Sequence, residues 1–220
     1  IIGRSGAGKT VLLKILVGLY GPTSGIVWYD DVNFTSLDKK KVRDIRMSVG
    51  MLFQGTALFD SMTVEENIRF PMDMFTNKTQ KEKLDRVNYC LERVNLTGVN
   101  QKYPSQLSGG MQKRAGIARA IVLEPTYLFC DEPNSGLDPK TSLVIDELIH
   151  DITQENNITT IINTHDMNSV MEIGDNIALL HDGYLAWEGN KEEVLTSNNE
   201  ILQDFVFASA FLQKVRALHS

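Results

Sequence analysis

The sequence is poor in cysteine and proline and has no long apolar run. Its 220 residues include two cysteines, Cys90 and Cys130, and six prolines. Two thiols make no disulfide framework, which excludes a small disulfide-stapled scaffold, and we expect both cysteines to be reduced in a cytoplasmic compartment. No stretch approaches the roughly 18 to 20 apolar residues that a membrane-spanning helix needs. We therefore expect no such helix in this sequence.

Positive charge is also scarce. There are 22 Lys+Arg against 28 Asp+Glu, a formal net charge of −6. Binding along a phosphate backbone needs a basic surface, so this balance disfavours a protein whose main task is to coat nucleic acid, although it leaves room for a small local patch. We interpret the basic run Lys39–Lys41 as a solvated helix face. We therefore expect no nucleic acid partner.

The patterning is that of one globular α/β domain. Strands alternate with helices, which predicts a mainly parallel sheet. A long helical stretch over about 63–120 interrupts the alternation, and we interpret it as a helical subdomain inserted in a single domain over 1–220. Strands are predicted over 26–29, 48–53, 127–130, 158–163, 176–180 and 184–187, and helices over 9–19, 37–46, most of 63–94, 108–122, from 138 onward, and 200–218.

The first functional motif is a glycine-rich loop that fits the phosphate-binding pattern G-x-x-x-x-G-K-[ST]. Small residues let backbone N–H groups wrap the β- and γ-phosphates, and the following helix points its positive end at them. Lys9 adds a point charge, and the Thr10 hydroxyl can ligate Mg²⁺. A plain glycine turn before a helix is the alternative. The candidate phosphate-binding residues are Gly3, Arg4, Ser5, Gly6, Ala7, Gly8, Lys9 and Thr10.

The segment before this loop is short. A phosphate loop normally follows a buried strand, and only Ile1 and Ile2 stand before Gly3. We therefore expect the sequence to be a fragment that lacks the N-terminal part of its domain.

The second motif is an acidic pair, Asp131-Glu132, directly after the apolar run Tyr127–Cys130. In open α/β sheets, ligands bind at the carboxyl ends of the strands. Asp131 is then placed to hold Mg²⁺, directly or through water, and Glu132 to polarise an attacking water. The alternative is a solvated turn that ends a strand, and the presence of a phosphate loop makes that alternative much weaker.

Between these two motifs, Leu107–Met111 resembles the signature sequence LSGGQ of ABC-type ATPases. Three further segments match that family in order: Gln54 resembles the Q-loop glutamine, Ser135–Asp138 the D-loop, and His165 the switch histidine. The resemblance covers nearly the whole chain. It implies the P-loop NTPase fold of an ABC-type ATPase, with ATP and Mg²⁺ as cofactors and ATP hydrolysis as the activity.

The resemblance also implies a role for each matched position. Two copies would face each other head to tail as a homodimer, with each ATP between the phosphate loop of one copy and the signature of the other. Gln54 would contact Mg²⁺ or water and sense a membrane partner, and His165 would contact the γ-phosphate and orient the nucleophile. The signature residues that would approach the phosphates are Ser108, Gly109 and Gly110.

Met111 departs from the usual glutamine of the signature. In this position, and over residues 51–68, the chain resembles the ATPases of Mla/Mce-type lipid transporters. That resemblance implies phospholipid transport, a pair of membrane permease subunits, an Mce-type lipid-binding partner, and a peripheral location on the cytoplasmic face of the inner or plasma membrane. Neither the cargo nor the direction of transport can be derived from the residues themselves.

Three alternatives remain at this stage. The chain could serve an importer of another small solute, belong to a non-transport ABC ATPase of DNA repair or translation, or be a nucleotide-sensing module without turnover. The absence of long coiled coils and the acidic balance disfavour the second, and the full motif set disfavours the third. The residue that stacks on adenine lies upstream of the phosphate loop in this family and is not in the sequence.

Three apolar side chains follow the Q-loop glutamine, namely Leu58, Phe59 and Met62. We hypothesise that they line a groove for a cytoplasmic permease helix, with a place in the subdomain core as the equal alternative. The predicted C-terminal helix over 200–218 is apolar on more than one face. It either packs within its own domain, which we favour slightly, or contacts a partner subunit.

Overall fold

The computed structural model describes residues 1–207. The strands in this part of the chain are β1 (Trp28–Tyr29), β2 (Val32–Asn33), β3 (Val49–Leu52), β4 (Tyr127–Asp131), β5 (Thr159–Asn163), β6 (Asn176–His181) and β7 (Tyr184–Asn190). The α-helices are α1 (Lys9–Leu16), α2 (Lys39–Met47), α3 (Val64–Phe75), α4 (Gln80–Arg93), α5 (Gly109–Ile121), α6 (Pro139–Glu155), α7 (Met167–Ile173), α8 (Lys191–Thr196) and α9 (Glu200–Val206).

The central sheet is parallel, as the alternation of strands and helices predicts. Its strand order is β3–β4–β5, and Asp131 at the end of β4 pairs with Asn163 at the end of β5. Ile2 forms parallel bridges to Thr164 and to Leu179, so it connects this sheet to the antiparallel hairpin β6–β7. The chain segment before the glycine-rich loop therefore lies in the middle of the sheet.

Side chains along β4 alternate between two cores, as the two-residue period of a strand requires. Phe129 faces a cluster that includes Leu13 of α1 and an aromatic group formed with Tyr29. Leu128 and Cys130 face the opposite cluster, which α3, α4, α5 and α6 help to form. Because both faces are covered, the end of β4 is buried among helices and only its last residues reach the open edge of the sheet.

The predicted helical stretch over 63–94 is divided into two helices. Thr76 has an extended backbone with φ −129° and ψ 154°, which ends α3. Thr79 begins α4 with a capping box in which its side chain and that of Glu82 exchange hydrogen bonds with the backbone. Helices α3, α4 and α5 share one buried cluster, while the assignment of residues 63–120 to a separate subdomain stays a prediction.

Other predicted boundaries shift for identifiable reasons. Helix α1 ends at Leu16 rather than Leu19 because Gly18 takes a left-handed backbone with φ 70°, which favours a helix end. Of the apolar stripe predicted on α4, Val87 and Leu91 are buried and Leu84 is exposed. In the C-terminal segment, the predicted helix is described over α9 only, and residues 208–218 of that prediction lie outside the described residues.

Within residues 1–207, no helix is both long enough and apolar enough to cross a membrane.

Helix α5 packs so closely on β3 that one strand position has no room for a side chain. A Cβ atom on Gly50 would lie 2.4 Å from the carbonyl oxygen of Ala120 and 3.1 Å from Cγ of Pro125. We expect Gly50→Ala to lower the free energy of unfolding by about 1–3 kcal/mol, the usual cost of overpacking a core. Urea unfolding followed by circular dichroism measures this change.

Gly21→Ala is the matched control, because no atom lies within 4 Å of a Cβ built at Gly21. This second substitution should leave the urea midpoint nearly unchanged or raise it slightly, since alanine restricts the unfolded chain. Equal midpoints for the two variants would contradict the close contact between β3 and α5.

Candidate functional site

The glycine-rich loop connects Ile2 in the sheet to the first residue of α1. Gly6 and Gly8 have left-handed backbones, with φ 86° and φ 102°, which glycine adopts without steric cost. The loop thereby turns back over the start of α1, whose first backbone N–H groups have no partner within the helix. Those N–H groups and the helix dipole favour a bound anion at this position.

Lys9 places a buried positive charge inside the loop. Its side chain is only 8% exposed, and Nζ donates to the carbonyl oxygen of Gly3 at 2.8 Å and lies 3.3 Å from Oε1 of Glu132. The ammonium group is therefore held by oxygen atoms of the loop and of the acidic pair. A phosphate group that enters the loop meets this charge already in place.

Asp131 accepts hydrogen bonds from two sides at the end of β4. Its Oδ1 accepts from Thr10 Oγ1 at 3.1 Å and from Asn163 Nδ2 at 3.0 Å. A threonine hydroxyl beside a carboxylate offers the hard oxygen ligands that Mg²⁺ prefers, and Mg²⁺ needs only one or two protein ligands where it also binds phosphates and water. Thr10 and Asp131 thus fit Mg²⁺. Asn163 was not predicted from the sequence, because only the register of β4 with β5 brings its amide to Asp131.

Glu132 is the most constrained of the acidic side chains. Its backbone has φ 50°, a left-handed conformation that is rare outside glycine. Its N–H donates to the carbonyl oxygen of Asn163 at 2.9 Å, and its carboxylate contacts Lys9 on one oxygen and Nδ1 of His165 on the other, at 2.7 Å. His165 is 64% exposed on its side chain, so this carboxylate lies between a buried cation and an imidazole that is open to solvent.

Gln54 lies near the same groups and is held through its backbone. Its carbonyl oxygen accepts from Nζ of Lys113 at 2.6 Å, and the same Nζ donates to the carbonyl oxygen of Glu132 at 3.3 Å. Burial lowers the pKa of Lys113 below its ordinary value. Lys113 was not singled out from the sequence, since nothing in its neighbourhood along the chain marks it as different from a surface lysine.

These groups surround one open cleft of about 690 Å³, which is a size typical of small-ligand sites. The structure therefore brings together the predicted phosphate loop, Gln54, Glu132 and His165, with Asp131 buried behind Thr10. The lining also includes Val11 after the loop and Phe205 of α9, which were not predicted to take part.

The predicted signature residues do not line this cleft. Ser108 caps α5, where its Oγ accepts from the N–H of Met111 at 3.3 Å, and both Ser108 and Gly109 are exposed. A Cβ on Gly110 would lie 2.7 Å from Cγ2 of Thr141, so glycine is required there by packing against α6. The start of α5 is consequently an exposed helix N-terminus, available to a ligand or to another chain.

Comparison with known proteins places the chain among transport ATPases. A family model described as ABC transporter matches residues 1–135. The probable ribonucleotide transport ATP-binding protein mkl of Mycobacterium leprae is 40% identical over 206 residues, which are 94% of this chain and 59% of that protein. The methionine import ATP-binding protein MetN of Carboxydothermus hydrogenoformans is 43% identical over 207 residues, 94% of this chain and 61% of that protein. The chain thus spans less than two thirds of these curated relatives.

Two solved structures show the same fold. A dimeric post-hydrolysis state of the ATP-binding cassette MJ0796, bound to ADP and Pi, matches 86% of this chain and 83% of its own with a TM-score of 0.79 and 33% identity. The structure of cbiO1 from Clostridium perfringens, part of the ABC transporter complex cbiONQ, matches 99% and 85% with a TM-score of 0.81 and 30% identity. The expected P-loop NTPase fold is confirmed.

The position of Lys9 leads to a first test of the cleft. Lys9→Ala removes the charge-assisted contact to phosphate, a loss of about 1.5–3 kcal/mol, and should weaken Mg²⁺-ATP binding roughly 10- to 100-fold. Isothermal titration calorimetry on the full-length protein measures this affinity.

Lys14→Ala provides the control on the same helix, because the Lys14 ammonium instead lies 5.4 Å from the ring centroid of Tyr20. We expect this variant to bind ATP as the wild type does. An unchanged affinity of Lys9→Ala would show that the loop is not the phosphate site.

Proposed function

We infer the function of this chain from its family and its cleft: the chain belongs to the ABC transporter family, as an ATP-binding domain. It binds ATP with Mg²⁺ and hydrolyses ATP to ADP and phosphate to drive transport. The observation that supports this activity most strongly is one arrangement: Lys9, Thr10, Glu132 and His165 line a single cleft, and Asp131 lies directly behind Thr10.

Binding begins with the phosphates on the loop. The β- and γ-phosphate oxygens accept hydrogen bonds from the backbone N–H groups at the start of α1 and from the ammonium of Lys9. Because Lys9 also contacts Oε1 of Glu132 at 3.3 Å, an incoming phosphate competes with the carboxylate for this cation. Nucleotide binding therefore frees Glu132 from part of its interaction with Lys9.

Hydrolysis then depends mainly on positioning and on charge. The Glu132 carboxylate accepts the proton of the attacking water, while His165, already 2.7 Å from Glu132 Oε2, orients the water and contacts the γ-phosphate. Gln54, which also lines the cleft, would contact Mg²⁺ or the water. Thr10 and Asp131 would hold Mg²⁺, which would supply positive charge next to the phosphate oxygens.

A second copy of the chain completes each site. The cleft of one copy contains no signature residue among those that line it, and the start of α5 is exposed. In a head-to-tail homodimer, the N–H groups of Gly109 and Gly110 and the α5 dipole would face the γ-phosphate bound to the other copy. ATP binding closes this dimer and hydrolysis opens it.

The permease contact is proposed at Phe59. Asn67, which is fully buried, holds the backbone of Phe59 with two hydrogen bonds, at 2.7 Å to its N–H and 3.1 Å to its carbonyl oxygen. The Phe59 ring is 43% exposed and packs edge-on against Phe70. Leu58 instead packs against the main core, which is the alternative set out for it. An aromatic side chain that is exposed on a fixed backbone is a typical interface anchor.

We propose lipid transport as the process that this ATPase drives, at the cytoplasmic face of the membrane, with permease subunits and an Mce-type lipid-binding protein as partners. Support comes from Met111 in the signature and from the resemblance over residues 51–68. The second candidate is import of a small solute, and the similarity to proteins named for methionine import favours it. The two candidates require different partners.

Glu132→Gln tests the catalytic assignment. Glutamine keeps the shape of the side chain but cannot accept a proton, so kcat should fall about 10²- to 10⁴-fold, the usual contribution of a general base. ATP affinity should be retained, because the substitution also removes the carboxylate that competes for Lys9. A steady-state phosphate-release assay and size-exclusion chromatography with ATP measure turnover and the accumulation of a closed dimer.

Glu124→Gln is the control, since Glu124 is exposed and pairs with Arg86 away from the cleft. It should hydrolyse ATP at the wild-type rate. Near-normal turnover of Glu132→Gln would contradict the role of Glu132 as the base.

Co-purification from the native cell distinguishes the two cargo candidates. The full-length protein is tagged, membranes are extracted gently, and proteins and lipids are identified by mass spectrometry. A permease with an Mce-type protein and bound phospholipid supports lipid transport. A permease with a soluble solute-binding protein supports solute import, and the absence of any membrane partner contradicts both. Phe59→Ala in the same experiment should reduce permease recovery, whereas Tyr184→Ala, on an exposed hairpin position, should not.

A further inference from the structure

Helix α5 contacts both the Gln54 loop and Glu132 through a single buried lysine. Lys113 lies on the second turn of α5 and is 5% exposed. Its Nζ donates to the carbonyl oxygens of Gln54, at 2.6 Å, and of Glu132, at 3.3 Å. The two carbonyls belong to segments that follow β3 and β4, 59 and 19 residues from Lys113 in sequence.

The partners of Lys113 are unusual for a buried lysine. A buried ammonium group is costly unless it is paired or fully hydrogen-bonded. Lys83, which is 7% exposed, meets this requirement through Asp73, with 2.8 Å between Nζ and Oδ1. Lys113 meets it with backbone carbonyls of two loops that line the cleft. An apolar side chain of the same length would avoid the desolvation cost. We therefore attribute the lysine at this position to the hydrogen bonds that it donates.

A donor to the Glu132 carbonyl oxygen restrains a strained part of the backbone. The left-handed backbone of Glu132, with φ 50°, is strained for a residue that has a Cβ, and such strain persists only where the surroundings hold it. Its N–H donates to the Asn163 carbonyl oxygen at 2.9 Å, and its own carbonyl oxygen accepts from the N–H of Ser135 at 3.1 Å and from Nζ of Lys113 at 3.3 Å. The Ser135 bond is local to the turn, whereas the Lys113 bond ties that carbonyl to α5. Together these bonds fix the peptide groups on both sides of the Cα and so restrain the direction of the carboxylate.

The loop after Gln54 is held by the same helix at a second point. Thr56 and Ala57 are consecutive non-glycine residues with left-handed backbones, φ 61° and φ 51°. Arg119 donates to both of their carbonyl oxygens, at 2.5 Å and 2.6 Å. Helix α5 therefore holds the Gln54 loop at both ends, through Lys113 and through Arg119.

We propose that Lys113 is a positioning residue for hydrolysis, which fixes Gln54 and Glu132 to α5 so that both follow any displacement of that helix. The proposal rests on the proposed function. The N-terminal end of α5 presents Ser108, Gly109 and Gly110 to the nucleotide of the second copy, so closure of the dimer acts on the element that holds Gln54 and Glu132. A correctly docked partner copy and a correctly aimed Glu132 are then coupled through one helix.

Lys113→Met tests the proposal in the full-length protein assembled with its partners. Methionine fills the space without a donor. We expect kcat for ATP to fall at least about 10-fold, because small misplacements of catalytic groups cost up to roughly 100-fold in rate, with KM changed less than about threefold since the phosphate loop is untouched. Lys83→Met is the matched control, a buried lysine replaced on α4, and should keep the wild-type kcat.

A second measurement reports position without nucleotide. Hydrogen–deuterium exchange followed by mass spectrometry should show faster amide exchange in Lys113→Met over 53–58 and over 131–135, because each segment loses the bond that ties one of its carbonyl oxygens to Lys113. Lys83→Met should leave both segments at the wild-type rate. Lys113→Arg keeps cationic donors and should recover part of the kcat and of the protection. If Lys113→Met does not fold, Lys113→Leu, which also lacks a donor, takes its place in both measurements.

Several results would overturn the proposal. Wild-type kcat and wild-type exchange in the Lys113 variant would do so, as would a parallel loss of ATP affinity, thermal midpoint and kcat without faster exchange over the two segments. A kcat of Lys113→Arg no better than that of Lys113→Met would also count against a donor role. If the wild-type protein hydrolysed no ATP, the proposed function would fail, while the exchange difference between Lys113→Met and Lys83→Met would still decide whether Lys113 holds Gln54 and Glu132.

Discussion

The parallel pairing of β4 with β5 is the constraint on which the site depends. The register that places Asp131 opposite Asn163 ends both strands at one edge of the sheet. From there Asn163 gives its side-chain amide to Asp131 and its carbonyl oxygen to the N–H of Glu132. A shift of one residue would turn every side chain of β5 to the other face, and both contacts would be lost. The pairing of the strands therefore sets the directions of Asp131 and Glu132, and the packed core keeps this arrangement rigid.

Burial then decides what the charged groups of the site can do. Lys9 and Glu132 are each about nine-tenths buried on their side chains and lie 3.3 Å apart, and truncating one partner of such a pair leaves an uncompensated charge. Their mutual contact holds the two side chains in place beside the loop. We expect a nucleotide phosphate to bring negative charge to Lys9 and so to replace the carboxylate as its partner. In the proposed mechanism, the same exchange of partners that admits ATP would release the carboxylate that acts as the base.

The sequence motifs predicted most of the residues that line the cleft. The residues that hold them in place were found only in the structure. The phosphate loop and Asp131-Glu132 are recognisable because their chemistry needs particular residue types at fixed local spacing. Lys113, Arg119 and Asn163 act on partners far away in sequence, and a lysine that binds two carbonyls has the same local pattern as one in water. The division of the predicted helix over 63–94 was missed although local signals were present. Threonines and a capping glutamate mark the break, but the prediction gave more weight to the apolar periodicity.

In the proposed homodimer, the exposed start of α5 would complete the nucleotide site of the other copy. An N-terminus of a helix with small residues attracts an anion, and the cleft of the same copy does not use it. That helix meanwhile holds Gln54 through Lys113 and the adjacent loop through Arg119. A nucleotide bound to a second copy would therefore attract the helix that we propose holds Gln54 and Glu132 of the first. If hydrolysis requires this contact, an unpaired subunit would not consume ATP. A transport ATPase needs this property.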